Sequence, residues 1–252
     1  MLNVRVVVVL LLSGCVHRIE PLSLASVQAL VSAPDRTEAD RALDPGRKPA
    51  EFLQFLGVGP GMHVADLMAG GGYTTELLSR AVGPNGVVYG ENPKLILERF
   101  AEKPWSERLT RLPNAKRLDR ELGDPFPAEL ERTLDVVVSN AIYHDSVWLQ
   151  VDRLQMNQAV YHALKMGGAY VVCDSSAKAG TGVGDVQVLH RIDEQVVRDE
   201  VTKAGFKLEA SGEFLRNPED TRDWSASPGA AGEKRGTSDR FCLRFVRPTV
   251  YY

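Results

Sequence analysis

Little in this chain of 252 residues is in excess: there are three cysteines, 7 % aromatics, and 30 basic against 33 acidic residues for a net charge of −3. The near balance of charge excludes the basic field that nucleic-acid binding draws on, and no stretch interleaves aromatic with basic side chains. The cysteines stand in none of the spacings of a zinc site, so no metal is expected from motif. No internal repeat is present, and no apolar run approaches the ~20 residues needed to cross a bilayer. What is there is 44 % hydrophobic and 25 % charged residues over a length that supports one sizeable core, the make-up of an ordinary globular domain.

The most informative stretch runs Val64-Ala65-Asp66-Leu67, then Met68-Ala69-Gly70-Gly71-Gly72, then Tyr73-Thr74-Thr75-Glu76-Leu77-Leu78. It reads as a buried strand, a glycine turn and a helix start. Glycine lets a ligand lie against bare backbone, and a helix start offers unpaired N–H groups at the positive end of its dipole. The turn therefore suits a nucleotide-type ligand. A dinucleotide fingerprint requires glycine where Thr75 stands, and a P-loop requires a Gly-Lys-Ser/Thr ending that is absent. The turn is instead similar to motif I of the class I S-adenosylmethionine (SAM) dependent methyltransferases. Asp66, Gly70 and Gly72 match that motif, and Met68 takes the place of its first glycine. A tight strand-to-helix turn that binds nothing is the other reading.

The resemblance covers about residues 47–248 and implies an α/β, Rossmann-like doubly wound fold with a seven-stranded, mostly parallel sheet and an antiparallel terminal strand. A helix over 74–82, closed by Gly83 and Pro84, precedes a second strand at 87–89 that ends in Gly90-Glu91. A helix to about residue 102 follows. A third strand is expected at 115–119, and the clearest buried strand, β-branched and apolar, at 134–139. Further on come a helix ending in 164–168, a fifth strand at 169–173, a charged amphipathic helix over 192–204 and a sixth strand at 206–211. The last strand, 240–245, alternates like a half-exposed edge.

For SAM as cofactor, the resemblance implies a binding set of Asp66, Met68, Ala69, Gly70, Gly71, Gly72, Tyr73, Glu91, Asn92, Asp119 and Asn140. Within it Asp66 orders the glycine loop, Glu91 accepts from the two ribose hydroxyls, and Asp119, with Asp124 behind it, accepts from the adenine amino group. Two local alternatives stand beside these roles. Asn92-Pro93 is a good N-cap and N1 pair, and Asp119 is an ordinary ion partner for Lys116, Arg117 or Arg120.

Ligands of open α/β sheets bind beyond the carboxyl ends of the strands, so the tip running from Asn140 to Asp145 faces the methyl acceptor. Tyr143 and His144 stand where many small-molecule methyltransferases carry an aromatic or a histidine near the methyl group. His144, beside Asp145, reads as a general base, because imidazole titrates near neutrality. Asp174, ending the fifth strand, and His190, before the last crossover helix, complete the candidate catalytic set. The implied activity is methyl transfer to a small-molecule acceptor; the alternative is a non-catalytic envelope module on the same fold. The glycine-rich segment 179–185 reads as a lid or linker. Arg222, Trp224 and Arg235 lie on the connection to the last strand, where they reach either substrate or solvent. Cys173 and Cys242 fall on strands that the family places side by side; both are expected as buried free thiols, with a disulfide as the alternative.

At the N-terminus, residues 1–5 carry one cation, residues 6–12 are continuously apolar, and Leu12-Ser13-Gly14-Cys15 matches the bacterial lipobox. Residues 1–14 are therefore expected as a lipoprotein-type signal peptide and 15–44 as an acylated Cys15 with a stalk and lead-in. The methyltransferase-like domain is expected over 45–248, and 249–252 form a tail. Lipidated Cys15 would hold the domain at a membrane on the periplasmic side of the envelope, with a cytoplasmic location following if the leader reading fails. Export stands in tension with a cofactor made in the cytosol.

Overall fold

The computed structural model describes residues 20–249, so the lipobox and Cys15 lie outside it. Its strands are β1 (His63–Leu67), β2 (Val87–Asn92), β3 (Ala115–Asp119), β4 (Leu134–Asn140), β5 (Leu164–Ser175), β6 (Lys207–Gly212) and β7 (Arg240–Val246). They form one seven-stranded sheet in the order β3-β2-β1-β4-β5-β7-β6, with β1 to β5 parallel and β7 antiparallel to both of its neighbours. The strand order reverses between β1 and β4, and the crevice at that switch point is where such sheets receive ligands.

Helices α1 (Leu24–Val31), α2 (Glu38–Arg41), α3 (Asp44–Arg47) and α4 (Pro49–Leu56) precede β1, and α5 (Tyr73–Val82) follows it. Helices α6 (Lys94–Ile96) and α7 (Glu102–Leu109) join β2 to β3. Helices α8 (Tyr143–Trp148) and α9 (Arg153–Ala163) join β4 to β5, and α10 (Val186–Leu189) and α11 (Glu194–Lys203) lead from β5 to β6. Period-2 alternation splits each central strand between two cores. Val64, Val88, Val136, Val138 and Val171 pack with Phe52 and Leu56 of α4 and Leu77 and Leu78 of α5. Leu67, Tyr89, Val137, Tyr170 and Phe241 pack with Met156 and Val160 of α9 and Val197 and Val201 of α11.

Several expectations change. The lead-in packs on the rest of the described chain: the Leu22 N–H donates to the Val58 carbonyl, Val27 is buried in the core, and Arg80 pairs with Asp35 and Arg108 with Asp40. The single helix expected after β2 is broken by a π-helical stretch, Leu97–Ala101. Pro104 gives the reason, since it lacks an N–H and its ring crowds the carbonyl four residues back, at Phe100. Asn92 is the last residue of β2 rather than a helix cap, and Pro93 takes the N-cap position of α6. β5 starts at Leu164, inside the stretch expected to end a helix. β7 is not an edge; its Phe241, Cys242, Leu243 and Phe245 are buried, and the polar β6 covers it.

Cys173 and Cys242 form a disulfide, which corrects the expectation of free thiols. They are directly opposed in the register of β5 and β7. Antiparallel pairing brings opposed Cβ atoms as close as any secondary structure does, which spacing along the chain does not reveal.

Candidate functional site

β1 carries Asp66 to the carboxyl edge, and the glycine turn then reverses the chain into α5. Met68 sits at φ 45°, left-handed backbone where the motif's first glycine normally stands, and a side chain there costs ~1–2 kcal/mol. Burial of the Met68 side chain in the core offsets that strain. Gly72 is at φ 80°, and a Cβ on it would come within 2.6 Å of the Trp105 ring, so this position admits no other residue without repacking α7.

The turn is built by the tip of β2. Met68 N–H donates to Glu91 Oε2 at 3.0 Å, and Gly70 N–H donates to Asn92 Oδ1 at 2.8 Å. Ala69 N–H donates to the Glu91 carbonyl at 2.8 Å, and Asn92 Nδ2 returns a bond to the Gly70 carbonyl at 3.2 Å. Arg108 Nε donates to the Gly71 carbonyl. Asp66 meets the start of α5, where Thr75 Oγ1 donates to its Oδ2 at 2.6 Å. Both carboxyl groups are buried. Burial pushes Asp66 up to about 7, against the opposing bonds from Thr75. It also holds Glu91 well above the usual carboxylate range, against the Met68 bond. Glu91 Oε1 is buried with no hydrogen-bond partner among the described residues.

A pH dependence follows for Asp66. Unfolded, its carboxyl ionises around its ordinary 3.8; folded, it stays protonated to about 7. The stability this difference contributes is fully present below pH ~4 and is lost as pH rises through ~7, a change on the order of a few kcal/mol. Asp66→Asn is expected to flatten that fall, read as urea-unfolding free energy between pH 4 and 8; an unchanged slope would reject it.

Tyr73 donates from its hydroxyl to Asp44 Oδ1 at 2.6 Å, and the Arg47 guanidinium lies 4.2 Å from the Tyr73 ring centroid. Neither Arg47 nor Arg240 has a carboxylate partner among the described residues. Burial first, and then mutual repulsion with Arg47, pushes Arg240 down to about 10. Sequence reading passed over both, because no motif joins residues so far apart. Asn140 Nδ2 reaches Thr74 Oγ1 at 3.4 Å across the switch point. Asp119 is exposed and bound by Arg117 Nε at 2.6 Å, the ion-pair alternative.

At the ends of β4 and β5 the structure joins three of the four candidate catalytic residues. Asp174, wholly buried, accepts from the backbone N–H of His144 at 2.8 Å and from its Nδ1 at 2.8 Å. His144 Nε2 stands 3.2 Å from Asp145 Oδ1 and 3.4 Å from His190 Nδ1. Burial disfavours charge on His144, yet Asp174 and then Asp145 outweigh it and push the imidazole up to about 10. That upward push by Asp174 and Asp145 opposes a general-base role for His144. Tyr143 stands apart from this group. Its ring is buried and its hydroxyl is committed to Glu200 Oε2 at 2.9 Å and Asn157 Nδ2 at 2.8 Å, away from the mouth.

The remaining loops brace this mouth. The N–H groups of Gly180 and Gly182 converge on the Asp193 carboxylate, at 2.7 and 3.4 Å, so the glycine-rich segment cradles a side chain of its own domain. Arg191 is buried between Asp220, the Ser176 and Trp224 carbonyls and the Trp224 ring. Arg222 pairs with Asp239, while Arg235 is exposed.

No family model matches the sequence, and no curated protein does. Solved structures match the fold. A SAM dependent methyltransferase from Aquifex aeolicus is similar over 90 % of this chain and 99 % of its own, at 17 % identity and TM-score 0.58. One from Mesorhizobium loti is similar over 81 % and 100 %, at 17 % identity and TM-score 0.55. A geranyl diphosphate C-methyltransferase from Streptomyces coelicolor A3(2), in complex with Mg2+, geranyl diphosphate and S-adenosyl-L-homocysteine, is similar over 92 % and 90 %, at 15 % identity and TM-score 0.55. At such identities the likeness establishes the class I methyltransferase fold and leaves the activity to the site.

Proposed function

We propose that the protein binds SAM against the glycine turn and transfers its methyl group to a small acceptor held at the ends of β4 and β5. The observation that carries this reading is the turn itself, closed on Glu91 and Asn92 beside the switch point of a class I methyltransferase sheet. The residues suit the cofactor. Glu91 Oε1 is the buried, unpartnered atom that a ribose hydroxyl would satisfy, and a Cβ on Gly70 would meet nothing within 4 Å, which leaves room beside the turn. Arg47 and Arg240, without carboxylate partners among the described residues, suit the cofactor's carboxylate or an anionic group on the acceptor.

Bound SAM supplies an electrophilic methyl group on a sulfonium. The chain supplies position: Asp66 and Thr75 fix the start of α5, Asn140 and Thr74 bridge β4 to it, and Asp174 fixes the His144 ring at the acceptor side. Alignment of acceptor and methyl, with water displaced, is the main means of acceleration available to such a site.

For location, the reading is an exported, lipid-anchored envelope protein. The lipobox at Cys15 supports it, and so does the disulfide, since such bonds persist in oxidising compartments. Calorimetric titration of the purified chain with SAM and S-adenosylhomocysteine, with NAD as control, tests the cofactor. Micromolar binding is expected, weakened at least ~10-fold by Glu91→Ala with the fold retained. Absence of binding to folded protein overturns the enzymatic reading in favour of a non-catalytic module. Cys15→Ser should release the protein from the membrane fraction, and retention there would refute lipidation.

A further inference from the structure

Three polar side chains, His144, Asp145 and His190, converge at the mouth. Asp174 takes the Nδ1–H of His144, so Nε2 points outward, toward Asp145 Oδ1 at 3.2 Å and His190 Nδ1 at 3.4 Å, and a metal ion bound there would displace the proton that Nε2 carries. Counting one ligand atom from each of the three residues, all lie within 4.8 Å of one another. Ligand bonds of about 2.0–2.1 Å place neighbouring donor atoms about 2.9 Å apart in an octahedron and about 3.4 Å apart in a tetrahedron. The two separations from His144 Nε2, 3.2 and 3.4 Å, have that spacing. A carboxylate behind a ligating histidine is the usual outer support of a metal site, fixing the tautomer and the ring plane, and Asp174 holds both Nδ1 and the backbone N–H of His144. His144 is buried while Asp145 and His190 are half-buried, so the open side of the cluster faces solvent. His190 is itself held in left-handed backbone at φ 50°, a strain tolerated where surrounding contacts over-determine a functional geometry.

The geometry points to a divalent transition-metal site formed by His144 Nε2, Asp145 Oδ1 and His190 Nδ1, supported by Asp174, with at least one ligand position open at the mouth. Two imidazoles and one carboxylate select the borderline first-row ions, zinc foremost, over magnesium or calcium, which take oxygen donors. The open position would take an oxygen of the acceptor, a hydroxyl or carboxylate. That last assignment rests on the methyl-transfer reading; the metal site does not.

The test uses the purified full-length chain, stripped with chelator and titrated with ZnCl2 by calorimetry. Replacement by Co2+ is followed through its visible absorption. One Zn2+ per chain at micromolar affinity or better is expected, together with a Co2+ spectrum of low coordination number and no saturable heat from MgCl2. His190→Ala and Asp145→Asn should each weaken Zn2+ at least ~10-fold, and Asp174→Asn ~10–100-fold, with thermal unfolding little changed for the two half-buried positions. Zinc uptake below ~0.1 equivalent, or uptake indifferent to His190→Ala, overturns the site. SAM titration on the same sample separates the two readings: zinc without SAM sinks the transferase and keeps the metal, and SAM without zinc does the reverse.

Discussion

Asp220→Ala is expected to destabilise the fold by about 3–5 kcal/mol, because it leaves a buried guanidinium without its counter-charge. Arg191 is fully buried, and its Nη1 donates to Asp220 Oδ2 at 2.8 Å while both partners have no exposed side chain. Its other donors go to the Ser176 carbonyl at 3.0 Å and the Trp224 carbonyl at 3.0 Å, and its face lies 4.6 Å from the Trp224 ring centroid. One side chain thus ties the end of β5 to the loop that carries Asp220 and Trp224. It also adjoins His190 in sequence, so the same substitution is expected to loosen His190 and weaken any ligand held there. Urea unfolding at pH 7 measures the first effect. The double variant Arg191→Met with Asp220→Leu should recover part of the loss, since it removes the uncompensated charge while the Asp239 and Arg222 N–H groups that also donate to Asp220 lose their acceptor. A single-variant loss under ~1 kcal/mol would show that the guanidinium finds water instead.

The second large effect concerns the disulfide. Cys173 and Cys242 are separated by 69 residues, and closing a loop of that length restricts the unfolded chain by about 4 kcal/mol in the chain-entropy account. Cys173→Ala with Cys242→Ala is expected to lower stability by about 2–4 kcal/mol, and dithiothreitol should lower the wild-type midpoint similarly while leaving the double variant unmoved. Both residues are buried in the core between the sheet and α5, so the bond should resist reductant until the protein unfolds. A wild-type midpoint indifferent to reductant, with both thiols titratable after denaturation, would refute the bond. With it would go its support for an oxidising compartment.

The candidate site was legible to different depths. Asp66, Gly70 and Gly72 could be read because a strand, a turn and a helix start are contiguous, and each residue type there answers a local backbone demand. Glu91 was legible by its place at the end of β2, but not its state: it is buried, unpartnered on Oε1 and turned to the Met68 N–H. Asn92 read equally well as a helix cap, and only the nearness of Gly70 decides for the turn. His144 read as a base because an isolated imidazole titrates near neutrality; the buried Asp174, 30 residues on, pushes it above that range. Nothing in the sequence brings His190 to it across 46 residues, so the cluster had no spacing by which a metal motif could be recognised.

What the sequence by itself determined is the set of pieces: β-branched apolar runs for the central strands, a glycine turn between β1 and α5, and the alternation of strand and helix that implies a doubly wound sheet. These follow from preferences that act over a few residues, namely sterics, period and capping, and every one of them is present before the chain folds. Only the tertiary structure decided which carboxyl groups lose their solvent, that Tyr143 turns into the core, that β7 is interior, that Cys173 meets Cys242, and that His144, Asp145 and His190 converge. Desolvation, charge and pairing are set by neighbours in space, and those neighbours are created by the packing of strands far apart in sequence.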